Sequence, residues 1–172
     1  IEAFIQAHDN NKMSAPLNTE FMFREKEIEK ACEMLETSNI LLVYGPSGVG
    51  KTRFSVELCK KLEDKQGYKT ICIRSNGLEI YEDLLSASEP NEKYVAFVDD
   101  ANELADLNQI LAYTTKRHLG YEVKIIMTVR DYVKAKVLSA VQEYTFPIII
   151  QIPPFKDDEI KGFLSDNLEI RN

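Results

Sequence analysis

The feature that most constrains this chain is a glycine-rich segment that directly follows an apolar run. Ile40 to Tyr44 is uniformly apolar, which is typical of a strand buried on both faces of a parallel sheet. Leu58 and Leu62 later recur at helical spacing. The segment between them fits the pattern G-x-x-x-x-G-K-[ST] and consists of Gly45, Pro46, Ser47, Gly48, Val49, Gly50, Lys51 and Thr52. The order of strand, glycine loop and helix predicts a P-loop, which binds phosphate groups.

Each residue type in this motif has a physical role at a phosphate site. Glycine lets consecutive backbone N–H groups turn toward phosphate oxygens, because a Cβ there would collide with the turn or the ligand. The positive end of the following helix points at the same oxygens. Lys51 is predicted to supply a charge for the β- and γ-phosphates, and Thr52 a hydroxyl ligand for Mg²⁺. We expect the Lys51 ammonium to be solvated without nucleotide, and therefore dispensable for folding.

Length, charge and composition narrow the class of protein. The chain has 172 residues, enough for one α/β domain with a substantial core. A net charge of −7 argues against an extended nucleic-acid-binding face. Its apolar runs are strand-sized and its start lacks the pattern of a signal peptide, so we predict a cytoplasmic protein without a membrane span. The three cysteines show no CxxC spacing and are predicted to be free thiols.

Apolar runs alternate with helical stripes along the chain, which predicts an α/β fold with a parallel sheet and helices on both faces. The predicted strands are Ile40–Tyr44, Thr70–Ile73, Tyr94–Val98, Val123–Val129 and Pro147–Ile150. Residues 1–20 are mostly polar and are predicted to be a leader or linker. At the other end, Asp157 and Asp158 are predicted to cap a last helix, with its apolar side formed by Ile160, Phe163, Leu164 and Leu168. The start at Ile1 rather than Met suggests a piece of a longer protein.

Polar side chains follow the third and fourth predicted strands, where ligands of parallel sheets bind. Asp99 and Asp100 come directly after the third strand, which is the form of a Walker B element. Asp99 is predicted to hold Mg²⁺, and Asp100 to orient or deprotonate the attacking water. A helix N-cap before Ala101 is the alternative role for either carboxylate.

Arg130 ends the fourth strand, from which a side chain can reach a γ-phosphate lying between strands one and four. A planar and permanently charged group there would distinguish ATP from ADP and stabilise charge in the transition state. The alternative is a surface ion pair with Asp131.

Four segments together resemble the STAND NTPases, which are signal-transduction ATPases with numerous domains. They are FMFREKE, YGPSGVGKTR, VAFVDDANEL and KIIMTVRDY. The resemblance is strongest to the novel STAND groups of bacterial defence proteins. It implies that Arg24 packs near the nucleotide base, that Arg53 belongs to the nucleotide-binding set, and that Arg130 is the sensor arginine. Phe23 stands where the family usually has glycine.

The resemblance also implies a fold, a domain division and a function. The fold is a P-loop NTPase three-layer sandwich whose five strands lie in the order 5-1-4-3-2. Residues 21–155 would form the NTPase core, and residues 156–172 the truncated start of a helical subdomain. With Mg²⁺, the module would hydrolyse ATP slowly. Exchange of ADP for ATP would drive oligomerisation of the parent chain and activate an effector domain. Two alternatives stay open: a nucleotide-binding structural module with little hydrolysis, and an AAA-type DNA-processing ATPase.

Overall fold

The computed structural model describes residues 1–10, 16–17, 21–73, 81–105, 107–115, 120 and 122–162. Its strands are β1 (Ile40–Gly45), β2 (Lys69–Ile73), β3 (Lys93–Val98), β4 (Glu122–Arg130) and β5 (Ile148–Gln151). Its main helices are α1 (Glu2–Asp9), α2 (Glu25–Leu35), α3 (Lys51–Gln66), α4 (Tyr81–Ser86), α5 (Leu107–Thr115) and α6 (Lys134–Gln142). Short 3₁₀ helices span Ala101–Glu103 and Asp131–Val133, and residues 157–162 are helical.

The five strands form one sheet in the order β2-β3-β4-β1-β5, and every pairing is parallel. This confirms the predicted order. Strand β1 supplies both cores of the sandwich, because successive side chains of a strand point to opposite faces. Leu41 and Val43 pack with Phe54 of α3, whereas Leu42 packs with Ile110 of α5 on the other face. Helices therefore cover both sides of the sheet, as predicted.

The predicted leader contains a helix that belongs to the core. Phe4 of α1 is buried, and its ring meets that of Phe97 in β3 edge to face at 5.2 Å between centroids. Leu17 is also buried, and its backbone N–H donates a hydrogen bond of 2.6 Å to Asp9 Oδ1. Residues 2–9, which were predicted to belong to a leader or linker, therefore form a helix that packs on the core. Ile1 and Ile5 pack against the same core as Phe4, but this apolar stripe is short and is followed by the polar run from residue 8 to residue 12, which favoured the prediction of a linker.

At the other end of the described chain, the N-terminus of the last helix differs from the prediction. The helix begins at residue 157, so Asp157 and Asp158 lie in its first turn rather than at the N-cap. The backbone N–H of Lys156 donates to Glu159 Oε2 at 2.7 Å, which is half of a capping box. The carboxylates of the first turn still favour the helix through its dipole. The predicted apolar residues Phe163, Leu164 and Leu168 lie outside the described residues.

Strand register brings the predicted site residues to one edge of the sheet. Gly45 at the end of β1 pairs with Arg130 at the end of β4. Val98 of β3 pairs with Met127 of β4, so the next residue along each strand, Asp99 and Thr128, also lie side by side. Within the parts of the chain that the structure describes, no helix combines the length and apolar character needed to cross a lipid bilayer. All three cysteines lie in the described part of the chain, and none of Cys32, Cys59 and Cys72 is joined in a disulfide.

Candidate nucleotide-binding site

The glycines of the P-loop occupy positions that other residues would disturb. Gly48 and Gly50 have φ values of +79° and +89°, in the left-handed region that favours glycine. At Gly45 the constraint is space, because an added Cβ would collide with the backbone carbonyl oxygen of Ile152, just after β5. Helix α3 begins at Lys51, so its N-terminus directly follows the loop. This is the strand–loop–helix arrangement that the motif predicts.

Lys51 is buried, contrary to the expectation that its ammonium is solvated. Its side chain donates hydrogen bonds to the carbonyl oxygens of Gly45 at 2.9 Å and Pro46 at 2.8 Å. Burial lowers the pKa of Lys51, and the nearby carboxylates of Asp100 and Asp131 oppose that shift. The long side chain reaches back over the loop because the neighbouring carbonyls need a donor. A phosphate group would compete with these two carbonyls for the same ammonium.

Asp99 is held by hydroxyl groups from two different elements. Its Oδ1 accepts hydrogen bonds from Thr52 Oγ1 at 2.9 Å and from Thr128 Oγ1 at 2.7 Å. The Thr128 hydroxyl in turn accepts the backbone N–H of Asp100 at 2.8 Å. The role of Thr128 was not predicted from the sequence. The signal that could have found it is a hydroxyl within an apolar strand, two residues before Arg130 and so on the same face.

The donor set of Thr52 and Asp99 fits Mg²⁺. Both residues offer the hard oxygen atoms that Mg²⁺ prefers, and their side chains already meet. Thr52 uses its one proton toward Asp99, which leaves hydroxyl lone pairs for a metal. Among the described residues, no group of three or more His, Cys, Asp or Glu side chains could hold a metal ion. Two protein ligands suffice for Mg²⁺ when phosphates and waters complete the coordination shell.

Arg130 forms ion pairs with two carboxylates, neither of which is Asp131, the partner named in the alternative. Its Nη2 lies 3.2 Å from Asp100 Oδ2 and 3.6 Å from Glu103 Oε1. Its Nη1 donates to the hydroxyl of Tyr132 at 3.5 Å. The hydrogen bond to Asp100, followed by that to Tyr132, raises the pKa of Arg130. The guanidinium therefore stays charged beside the P-loop. Glu103 was not predicted to be a partner of Arg130.

The backbone of Asp100 explains how its carboxylate reaches Arg130. Asp100 has φ +48°, in the left-handed region, and precedes the 3₁₀ helix Ala101–Glu103. Its side chain makes no capping hydrogen bond to that helix. The N-cap alternative therefore fails for the Asp100 side chain, which pairs with Arg130 instead.

Arg24 lies at the start of α2 and holds the segment that follows β5. It is buried, its Nη2 donates to the carbonyl oxygen of Pro153 at 2.7 Å, and its guanidinium lies 4.4 Å from the centre of the Phe155 ring. Burial lowers the pKa of Arg24. Pro153 directly follows Ile152, whose carbonyl faces Gly45. Arg24 thus lies one residue from the P-loop contact, and its approach to a base stays a prediction.

Arg53, the residue after the P-loop motif, lies on the first turn of α3. Its Nη2 is 3.2 Å from Glu57 Oε1, and its guanidinium is 6.0 Å from the centre of the Phe21 ring. The Arg53 side chain therefore packs between its own helix, α3, and the segment that precedes α2. Its membership of the nucleotide-binding set stays a prediction.

The residue that replaces the family's usual glycine has a left-handed backbone. Phe23 has φ +70°, and its ring meets Phe155 edge to face at 6.5 Å between centroids. A residue with a Cβ is strained in that region by about 1–2 kcal/mol. Glycine avoids the strain, which gives a physical reason for glycine at this position.

Phe23→Gly should therefore be more stable than Phe23→Ala, although an alanine variant is normally more stable than a glycine variant. Both variants lose the aromatic ring, but only alanine keeps the backbone strain. After the entropy cost of glycine in the unfolded chain, we expect a difference of about 0.5–1 kcal/mol. Urea denaturation of the two variants measures it. An alanine variant as stable as the glycine variant would contradict the left-handed assignment.

The chain matches known proteins in its sequence. The sequence profile of the family described as Novel STAND NTPase 3 matches residues 22–151. The chain is also 27% identical over 103 residues to an uncharacterized ATP-binding protein of Methanocaldococcus jannaschii. That alignment covers 56% of this chain and 28% of the relative, so the chain spans little more than a quarter of the length of that relative.

Solved structures match the chain in fold. Cdc6p from Pyrobaculum aerophilum has a TM-score of 0.62 at 15% identity, covering 91% of this chain and 52% of that one. The RuvB branch migration motor of Thermotoga maritima has a TM-score of 0.60 at 16% identity, with 86% and 51% covered. Hsp104 in its closed state has a TM-score of 0.66 at 19% identity, with 84% and 29% covered. At these identities the likeness shows the fold alone.

Proposed function

The chain belongs to the novel STAND NTPase 3 family, and on that premise we propose that it binds ATP together with Mg²⁺ and hydrolyses it slowly. The observation that carries this proposal is the meeting of Thr52 and Asp99 at 2.9 Å, beside the P-loop lysine. This contact joins the phosphate-binding loop to a carboxylate from another strand. A metal bound there would lie next to phosphates on the loop. The ATP-binding name of the archaeal relative also supports the choice of nucleotide.

Each side chain then has a definite task. Lys51 neutralises the β- and γ-phosphates, and Thr52 and Asp99 hold the metal, which would stabilise negative charge on the phosphate oxygens. Asp100 orients the attacking water and accepts its proton. Arg130 binds the γ-phosphate, since its strand position is directly beside Gly45.

One contact favours the alternative of a module that holds nucleotide with little hydrolysis. The Asp100 carboxylate is paired with Arg130 at 3.2 Å, so one of its oxygens is occupied by a cation. An oxygen held in an ion pair is less available to contact the attacking water and take its proton. Single-turnover hydrolysis of ATP separates the two functions. Bound ATP that persists for hours, together with equal affinities for ATP and ADP, would favour the module that holds nucleotide with little hydrolysis.

For the longer parent protein we propose a nucleotide switch. ADP is bound at rest, and a trigger allows ATP to replace it. The γ-phosphate is then the ligand that distinguishes the two states. The parent would form homo-oligomers in the cytoplasm, contact its other domains and activate an effector in defence signalling. The mass of the parent protein, measured by light scattering with ADP and with a non-hydrolysable ATP analogue, tests this. Equal masses would contradict it.

Asp99→Ala tests the metal site directly. The variant should bind a non-hydrolysable ATP analogue at least about tenfold more weakly with Mg²⁺, and less than about twofold more weakly in EDTA. Asp131→Ala is the matched control, because it removes a nearby exposed carboxylate that is not bonded to Thr52. Equal weakening of Asp99→Ala in both buffers would make Asp99 a structural residue.

A further inference from the structure

We propose that Thr128 is a positioning residue that sets the geometry of both carboxylates of the site. The proposal rests on the Mg²⁺-dependent nucleotide binding proposed above. It concerns a residue that approaches neither the phosphates nor the metal in its own right. Its hydroxyl acts through two successive residues, Asp99 and Asp100.

The Thr128 hydroxyl uses both its donor and its acceptor capacity in the site. It donates to Asp99 Oδ1 at 2.7 Å and accepts the backbone N–H of Asp100 at 2.8 Å. The side chain is only 1% exposed, so water does not substitute for either bond. Its neighbours in β4, Met127 and Val129, are apolar and lie on the opposite face. The hydroxyl is thus a buried polar connection between β4 and the end of β3, beside the more exposed ion pair of Arg130 with Asp100.

The first bond fixes the metal ligand. Thr52 and Thr128 donate to the same oxygen of Asp99 from two sides of the site. Two donors on one oxygen restrict rotation of the carboxylate about its terminal bond. A ligand held in this way needs little ordering when a metal binds, and outer partners of metal ligands commonly change metal affinity by about 10- to 100-fold.

The second bond fixes the turn that carries Asp100. The backbone there is left-handed, with φ +48°, a conformation that costs free energy for any residue with a Cβ. The hydrogen bond from the Asp100 N–H to Thr128 stabilises that turn. This turn directs the Asp100 carboxylate toward Arg130, with 3.2 Å between Oδ2 and Nη2. One buried hydroxyl therefore positions both Asp99, the proposed metal ligand, and Asp100, the proposed base.

Thr128→Val tests the proposal, because valine keeps the shape of threonine and removes the hydroxyl. The measurement is a Mg²⁺ titration of the protein with a non-hydrolysable ATP analogue, beside analogue binding in EDTA. We expect the apparent Kd for Mg²⁺ to rise roughly tenfold, and binding in EDTA to change less than about twofold. Thr128→Ser restores the hydroxyl and should return the Mg²⁺ affinity to within about twofold of the original.

Thr70→Val is the matched control. It makes the same substitution on β2, where the Thr70 hydroxyl is buried and has no hydrogen-bond partner in the described structure. We expect no change in Mg²⁺ affinity from it. If Thr128→Val does not fold, Thr128→Ala is measured in its place with the same expectation.

The outcomes separate this proposal from the proposed function. An unchanged Mg²⁺ affinity in Thr128→Val, with Mg²⁺-dependent binding intact in the original protein, would overturn the positioning role alone. An equal loss with Mg²⁺ and in EDTA, or a serine variant that folds but is not rescued, would also overturn it. Binding that is independent of Mg²⁺ in the original protein would overturn the metal site and the positioning role together.

Discussion

Replacing Lys51 with alanine should weaken ATP binding by at least about 100-fold. The ammonium is the one basic group of the P-loop motif itself, and it would contact two phosphate groups. A charge-assisted hydrogen bond contributes about 1.5–3 kcal/mol net, so two such bonds exceed a 100-fold effect. Equilibrium binding of a fluorescent ATP analogue measures the loss. An unchanged affinity would remove the phosphate-binding role of the loop.

The same substitution should also lower the free energy of unfolding. Lys51 is buried and donates to the carbonyl oxygens of Gly45 and Pro46, which would lose their donor. We expect a cost of about 1–3 kcal/mol, which leaves the domain folded but measurably less stable. Circular dichroism during urea denaturation separates this cost from the loss of binding. Lys60→Ala is the control, because Lys60 lies on the same helix, pairs with Glu57 and is 39% exposed.

Local sequence patterns predict the helices and strands of this fold, but they do not predict which strands pair. Residues 40–43 of β1 form a continuous apolar run, and β4 is apolar from Val123 to Val129 except at Lys124 and Thr128, as expected of strands buried on both faces. Such runs do not say which strands are neighbours, so the strand order depended on the family resemblance. Helix α1 shows the limit of periodicity, because its apolar stripe of Ile1, Phe4 and Ile5 is short and lies at the start of a mostly polar segment, residues 1–20.

The residues of the candidate site also fall into those that the sequence predicted and those that it did not. Thr52 and Asp99 could be predicted because each stands at a fixed position relative to an apolar strand. The contacts of Thr128 and Glu103 were not predicted, because they depend on the register of β3 and β4 and on a left-handed turn at Asp100. The alternative for Arg130, an ion pair with Asp131, failed for the same reason. Asp131 is its neighbour in sequence, but the turn brings Asp100 to the guanidinium instead.

The ratio of ATP to ADP affinities in Arg130→Ala should distinguish a nucleotide switch from a passive holder. Register sets Arg130 beside Gly45, where it can bind a γ-phosphate that ADP lacks. A charge-assisted hydrogen bond of about 1.5–3 kcal/mol predicts roughly 10- to 150-fold weaker binding of ATP. The affinity for ADP should change much less. The ion pair with Asp100 must be given up first, which moves the expectation toward the lower end of that range.

Two further variants show whether the planar guanidinium is the group that matters. Arg130→Lys keeps the charge but loses the planar fork, so it should recover only part of the ratio. Glu103→Gln removes one carboxylate partner, 3.6 Å from Arg130, and leaves the arginine in place. Because Glu103→Gln frees Arg130 in part, the ratio should stay the same or rise. If Arg130 serves only to pair with Asp100 and Glu103, Arg130→Ala shifts both nucleotides equally, and a ratio that does not move would exclude the sensor role.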